Sequence, residues 1–162
     1  MSLPEEKKQL KFAALVLAAD RTASDPITQH TGAACKAFAK VGGEPMIMRV
    51  LDALTACDQI DTVVLCGPPK ARLEDCPPLK QRINSGEVAW LPNRESPSRS
   101  AEQGLSHLAD DTPVLLTTAD HALLTPQIVR YFLIESLKSD ADATVGVVTD
   151  VQMLAAFPDA KR

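Results

Sequence analysis

Hydrophobic positions fall into five short continuous runs: 12–19 (FAALVLAA), 62–66 (TVVLC), 88–91 (VAWL), 114–118 (VLLTT) and 143–148 (ATVGVV). None alternates with polar residues, so each predicts a strand covered on both faces. The segments between them carry helical spacing. Pro45 suits a first helical turn, and Met46, Ile47, Val50, Leu51 and Leu54 form one apolar stripe behind it. Ser100 and Gln103 have capping-box spacing ahead of Leu105 and Leu108. Thr125 is a good N-cap with Pro126 behind it, and Ile128, Val129, Phe132, Leu133 and Leu137 make the next stripe. In 70–83, Pro77 and Pro78 predict a broken or terminated helix. The order β-α-β-(α)-β-α-β-α-β predicts a three-layer α/β/α domain on a mostly parallel sheet.

Two features interrupt this regularity. Segment 20–43 separates the first strand from the first helix by more than twenty residues, much longer than an ordinary βα connection. Long loops at the carboxyl ends of parallel strands are where such folds place ligands. The other is LLTTADHALLTP at 115–126, where an apolar run ends at Asp120 and His121 just before a helix start.

Composition narrows the class. At 162 residues, 45% hydrophobic and 23% charged, the chain is expected to form one globular domain over 12–162, behind a flexible polar leader at 1–11. The formal charge of −4 provides no general attraction for nucleic acid or anionic membrane, and no apolar run is long enough to span a bilayer. Cys35, Cys57, Cys66 and Cys76 have no zinc-type or C-x-x-C spacing. They are expected to be reduced, mostly buried thiols of a cytoplasmic protein. No closing element follows the fifth run, as expected of an N-terminal piece of something longer.

The long loop has neither a G-x-G-x-x-G nor a Walker A pattern, which argues against an NAD(P)-dependent oxidoreductase. It does offer small residues at the strand end (Ala18, Ala19), then Arg21, and Lys36 ahead of Gly42-Gly43. Small residues let a planar ligand approach the backbone, and cations on a loop can wrap a polyphosphate.

The stretch LVLAADR…CKAFAKVGGEPMIMRVLDAL resembles the opening of the MobA-like nucleotidyltransferases, relatives of the molybdenum-cofactor guanylyltransferases and sugar-phosphate nucleotidylyltransferases. Leu17-Ala18-Ala19 begins their motif, Lys36 takes the signature lysine position, and Gly43-Glu44-Pro45-Met46-Ile47 closes it. Asp20 stands where the family has its first glycine, Cys35 replaces a proline, and the intervening loop is longer. The stretch NRESPSRSAEQGL at 93–105 resembles the family's second pocket segment, with Ser100, Gln103, Gly104 and Leu105 matching. In Thr117–Pro126 the family's strand-terminal aspartate is matched by Asp120, with Ala122 in place of a proline.

The resemblance implies a glycosyltransferase-A-like (Rossmann-like) nucleotide-diphospho-sugar transferase fold and a cytoplasmic, bacterial enzyme. Its activity would be Mg²⁺-dependent transfer of a nucleotidyl group from an NTP, GTP or CTP favoured, to a phosphorylated small-molecule acceptor. Lys36 and Arg21 would be catalytic and Asp120 the Mg²⁺ ligand. Leu17, Ala18, Ala19, Asp20, Gly67, Arg99 and Ser100 would form the nucleotide pocket, with His121 orienting or lining it. The family's second metal ligand follows the fifth strand, where Asp150 is the nearest acidic residue. A catalytically degenerate nucleotide-binding protein of the same fold is the alternative. A glycosyltransferase would need D-x-D at a strand end, whereas Asp140-Ala141-Asp142 precedes a strand-like run and reads as a solvated turn.

Overall fold

In the sheet, the apolar run that opens the chain lies second from one edge and is paired on both sides. The computed structural model describes residues 10–18 and 25–159; most of the leader, and Ala19, Asp20 and Arg21, lie outside the described residues. Strands β1 (Phe12–Leu17), β4 (Ile60–Cys66), β5 (Ala89–Leu91) and β6 (Val114–Thr118) form one parallel sheet in the order β5-β4-β1-β6. A separate two-residue hairpin joins β2 (Lys40–Val41) to β3 (Glu44–Pro45). Its turn, Gly42-Gly43, has φ of 63° and 87°, the left-handed conformation that two-residue hairpin turns require and glycine adopts freely.

Side chains alternate across β1, and each face meets its own helices. Ala14 and Val16 join Val63 and Leu65 of β4 on one face. That face is covered by α2 (Met46–Thr55) and α5 (Pro126–Ser136), through Ile47, Val50, Leu51, Leu54, Val129 and Leu133. Ile47, Leu51 and Leu54 are fully buried, each contributing about 1.5–3 kcal/mol of apolar burial. The opposite face carries Leu15, Val64 and Cys66 against Ala101 and Leu108, from and just beyond α4 (Pro97–Leu105). The expected three layers are present, with the second face covered only in part: Leu116, paired in register with Leu15, is 53% exposed.

The chain steps from β1 to β4 to β5 in one direction, then returns to place β6 on the other side of β1. Strand order reverses between β1 and β6. Open parallel sheets bind ligands at such a point, outside the carboxyl ends of the strands.

Four expectations need correction. The run 143–148 is not a strand; its backbone is irregular, and Val145, Val147 and Val148 are 80%, 81% and 69% exposed. Thr144 Oγ1 donates to Ser136 Oγ at 2.7 Å and Gly146 lies against Phe132, so this segment follows α5 instead of adding a ladder to β6. Pro77 and Pro78 do not end a helix. They begin α3 (Pro77–Asn84), because the first turn needs no N–H donor there. The N-cap of α4 is Ser96, whose side chain accepts from Arg99 N–H, and not Ser100. The long loop also contains a short helix, α1 (Pro26–Thr31), capped by Asp25 and closed by Gly32.

All four cysteines are buried and unbonded to one another. No helix among the described residues is long and apolar enough to cross a membrane. A last short helix, α6 (Asp150–Ala156), carries Asp150 at its exposed start.

Candidate functional site

At the reversal point β1 and β6 end level with each other. Leu17 pairs with Thr118, and the next amide, Ala119 N–H, donates to Leu17 C=O at 2.9 Å. On the other side Ala18 N–H donates to Cys66 C=O at 2.9 Å. Ala18 and Ala119 are buried, and their single methyl groups leave room above the strand ends. A cavity of about 540 Å³ opens there, lined by Leu17, Ala18, Lys36, Ser100, Thr118 and Asp120, with Asp25, Pro97 and His121 at its walls.

Lys36 reaches the cavity from a 3₁₀ turn, Lys36–Phe38, whose Ala37 and Phe38 are buried in the main core. Met46 N–H, at the start of α2, donates to Ala39 C=O at 3.0 Å and ties that turn to the helix. The lysine backbone is thereby fixed while its side chain projects into the opening. Its Nζ lies 2.5 Å from Asp120 Oδ2, joining residues 84 positions apart. The other carboxylate oxygen, Oδ1, accepts from Thr118 Oγ1 at 2.5 Å.

The loop beyond Asp120 is secured as well. Arg49 Nε of α2 donates to Ala122 C=O at 2.8 Å, and His121 Nδ1 lies 3.0 Å from Thr117 Oγ1. Thr125 then caps α5, accepting from Ile128 N–H.

Burial alone would raise the pKa of Asp120. Hydrogen bonds from Lys36 and Thr118 and the nearby positive charge outweigh it, and the carboxyl sits below its ordinary value. A carboxylate depressed on folding contributes stability above its unfolded value, near 3.9, and that contribution disappears as pH falls through the lower folded value. Asp120→Asn should therefore flatten the loss of stability below about pH 4. Urea unfolding of both proteins between pH 3 and 6 checks this; parallel pH profiles would refute it.

The remaining predicted residues divide. Gly67 does not line the cavity but permits it: its φ is +83°, and a Cβ there would stand 3.1 Å from Ala18 C=O. Cys66 touches the cavity, yet burial pushes its thiol up, and Sγ donates to Ser100 C=O at 3.3 Å. Ser100 is buried, its hydroxyl donating to Ser96 C=O and accepting from Arg94 N–H. It holds the 94–100 segment together as well as lining the cavity. Arg99 does not join the cavity. It lies in a separate surface depression with Arg94 and Glu95, paired with Glu102 at 2.8 Å. Asp150, on the exposed α6, is not among the residues that line the cavity.

Sequence reasoning missed Asp25, Thr118 and Arg49. Asp25-Pro26 was a legible helix start; nothing local marked Thr118 or Arg49.

Among the described residues no three His, Cys, Asp or Glu side chains converge as a metal cage. One strand-end carboxylate in an open cavity instead fits Mg²⁺, which takes one or two carboxylates and fills its other positions with water and phosphate oxygens.

The sequence model of the MobA-like NTP transferase domain matches residues 14–159. Among solved structures, a hypothetical transferase from Thermus thermophilus is similar over 94% of this chain, with a TM-score of 0.66 and 25% identity. The 4-diphosphocytidyl-2C-methyl-D-erythritol synthase of Anaerococcus prevotii is similar over 93%, with a TM-score of 0.61 and 16% identity. A CMP:2-keto-3-deoxy-manno-octonic acid synthetase, solved with CTP, is similar over 80%, with a TM-score of 0.55 and 14% identity. The chain spans 58%, 64% and 48% of the lengths of these three proteins. No curated protein sequence matches it significantly. The sheet order, the cavity at its reversal point and the match over nearly the whole sequence agree: the chain belongs to the family of MobA-like NTP transferase domains.

Proposed function

We propose that this protein transfers a nucleotidyl group from an NTP, GTP or CTP by preference, to a phosphorylated small-molecule acceptor, with Mg²⁺ and release of pyrophosphate. The observation that carries the reading is the approach of Lys36 to Asp120 within the strand-end cavity of an NTP transferase domain. A phosphate oxygen of the acceptor forms a bond to the α-phosphorus. The bond from that phosphorus to the α–β bridging oxygen breaks, and its electron pair leaves on pyrophosphate.

This reaction needs no protein nucleophile; alignment and charge stabilisation supply the rate. Leu17 and Ala18 shape the floor on which the nucleoside rests. Lys36 sets its ammonium against the triphosphate and the departing pyrophosphate, and the family resemblance assigns Arg21 to the same role. Asp120 holds Mg²⁺, which when bound gathers the phosphates and withdraws charge from them. Gly67 shapes the pocket and Ser100 lines it; Ala19 and Asp20 are assigned to it by the family resemblance alone. Arg99, in its separate depression, is left for acceptor or surface contacts. Reduced cysteines suit a cytoplasmic enzyme.

Thermal shift against ATP, GTP, CTP and UTP, each with and without Mg²⁺, tests binding and base preference together. Ligand at a hundred times its Kd contributes about 2.7 kcal/mol, which in a chain of this size raises Tm by about 5–10 °C. The expected result is a metal-dependent rise of that order with GTP or CTP. A flat response to all four nucleotides would overturn the reading. Stabilisation without pyrophosphate release for any phosphorylated acceptor would assign the chain to the non-catalytic alternative.

A further inference from the structure

Both oxygens of the proposed metal ligand are engaged within the protein: Oδ2 with Lys36 Nζ and Oδ1 with the Thr118 hydroxyl, each at 2.5 Å. We propose that Lys36 and a divalent cation compete for Asp120, so that a nucleotide, by drawing Lys36 onto its phosphates, opens the carboxylate to the metal. The inference rests on the nucleotidyltransferase reading above and adds to it a linkage between the two ligands.

Three observations support an exchange over simultaneous occupancy. The ammonium at 2.5 Å fills the approach to Oδ2, and a second cation brought to the same oxygen meets a like charge at close range. The pair is only partly withdrawn from water, with side-chain exposures of 32% and 34%, so the contact can exchange without unfolding. Lys36 also stands on a turn whose next two residues, Ala37 and Phe38, are buried in the core. The backbone can stay in place while the four-carbon stem swings, a motion suited to a flexible lysine. Lys36 can therefore exchange the Asp120 carboxylate for the triphosphate of a bound nucleotide.

Linkage makes this coupling reciprocal: nucleotide must tighten metal binding by the factor by which metal tightens nucleotide binding. Couplings of this kind are on the order of 5- to 150-fold. Lysine substitution should also separate the two ligands in sign. Lys36→Met removes the charge and keeps the stem, so it should weaken nucleotide binding and strengthen metal binding to the nucleotide-free protein. A purely structural lysine would not produce opposite shifts.

The experiment uses Mn²⁺ as the metal probe, its free aquated form counted by electron paramagnetic resonance. The nucleotide probes are the α,β-methylene analogues of GTP and CTP. Wild type, Lys36→Met, Lys36→Gln, Asp120→Asn and the double variant Lys36→Met/Asp120→Asn are titrated with Mn²⁺ alone, after circular dichroism confirms folding. Analogue affinity is then measured with and without Mn²⁺. The expected result is Mn²⁺ affinity raised about 5-fold or more in both lysine variants, abolished in the double variant, and raised in wild type by the analogue. Mn²⁺ affinity in Lys36→Met and Lys36→Gln equal to or below wild type would overturn the exchange. Asp120→Asn binding the Mn²⁺–analogue complex as well as wild type would instead overturn the metal role of Asp120 itself.

Discussion

Asp120→Ala is expected to lower Mg²⁺-dependent pyrophosphate release by about a hundredfold to a thousandfold, the loss typical when a central charge-stabilising group is removed from a transition state. The fold should survive. Asp120 follows β6 and makes no part of its ladder; Ala119 N–H to Leu17 C=O fixes the strand end, and Arg49 holds Ala122 from α2. The ion pair lost with Lys36 is about one-third exposed, and pairs this close to solvent contribute little net stability. Nucleotide affinity without metal should hold or rise slightly, because Lys36 no longer has Asp120 as a competing partner. The measurement is steady-state pyrophosphate release with matched Tm values. Asp120→Glu should restore little, since its added methylene moves the carboxylate away from a fixed position beside Thr118. Turnover within tenfold of wild type in the alanine variant, at saturating Mg²⁺, would remove Asp120 from the mechanism.

That residue was the easiest part of the site to find in the sequence. An apolar run, a carboxylate at its end and an N-cap with proline five residues later locate a strand end and a helix start without reference to anything distant. The stripe of α2 was equally legible, since all five of its apolar positions are buried. Contacts across the chain were not. Nothing in the spacing of residues 84 apart pairs Lys36 with Asp120; the family resemblance put both near one triphosphate, and only the fold shows that they touch.

The failures have physical causes of the same kind. The run 143–148 has the composition of a strand, but composition does not encode whether a run pairs with a sheet edge, and this one lies beside α5 instead of β6. At 93–105 Ser100–Gln103 satisfied the spacing rule, but the helix starts one turn earlier, capped by Ser96. Arg99 and Ser100 are adjacent in sequence, yet one residue of helix turns the side chain by about 100°. Arg99 faces its glutamates in the outer depression, and Ser100 is buried beside the cavity. A motif matched by sequence assigns both to a nucleotide; helical geometry sends them to different places.

Gly104 carries the other large effect, on stability. It lies in α4, where glycine is about 1 kcal/mol less favourable than alanine, so its presence needs a reason from packing. An added Cβ would stand 2.3 and 2.8 Å from the two terminal methyls of Leu15 and 3.1 Å from Cys66 Sγ. Leu15 and Cys66 are fully buried, and at these distances Leu15 must rearrange within the smaller core or α4 must move. α4 can remain this close to β1 and β4 only without a side chain at 104. Gly104→Ala gains the helix preference but overpacks the contact, for a net loss of about 1–2 kcal/mol; Gly104→Val, bulkier and a poorer helix former, should lose about 3 kcal/mol or more. Because Pro97 and Ser100 on the same helix wall the cavity, the displaced helix should also weaken nucleotide binding, while Gly104→Ser should fall near alanine. Urea midpoints with an unchanged m value measure the first effect, and nucleotide titration at a temperature where each variant is folded measures the second. A valine variant as stable as wild type would mean that α4 does not lie this close to the sheet, and the cavity wall built on it would have to be redrawn.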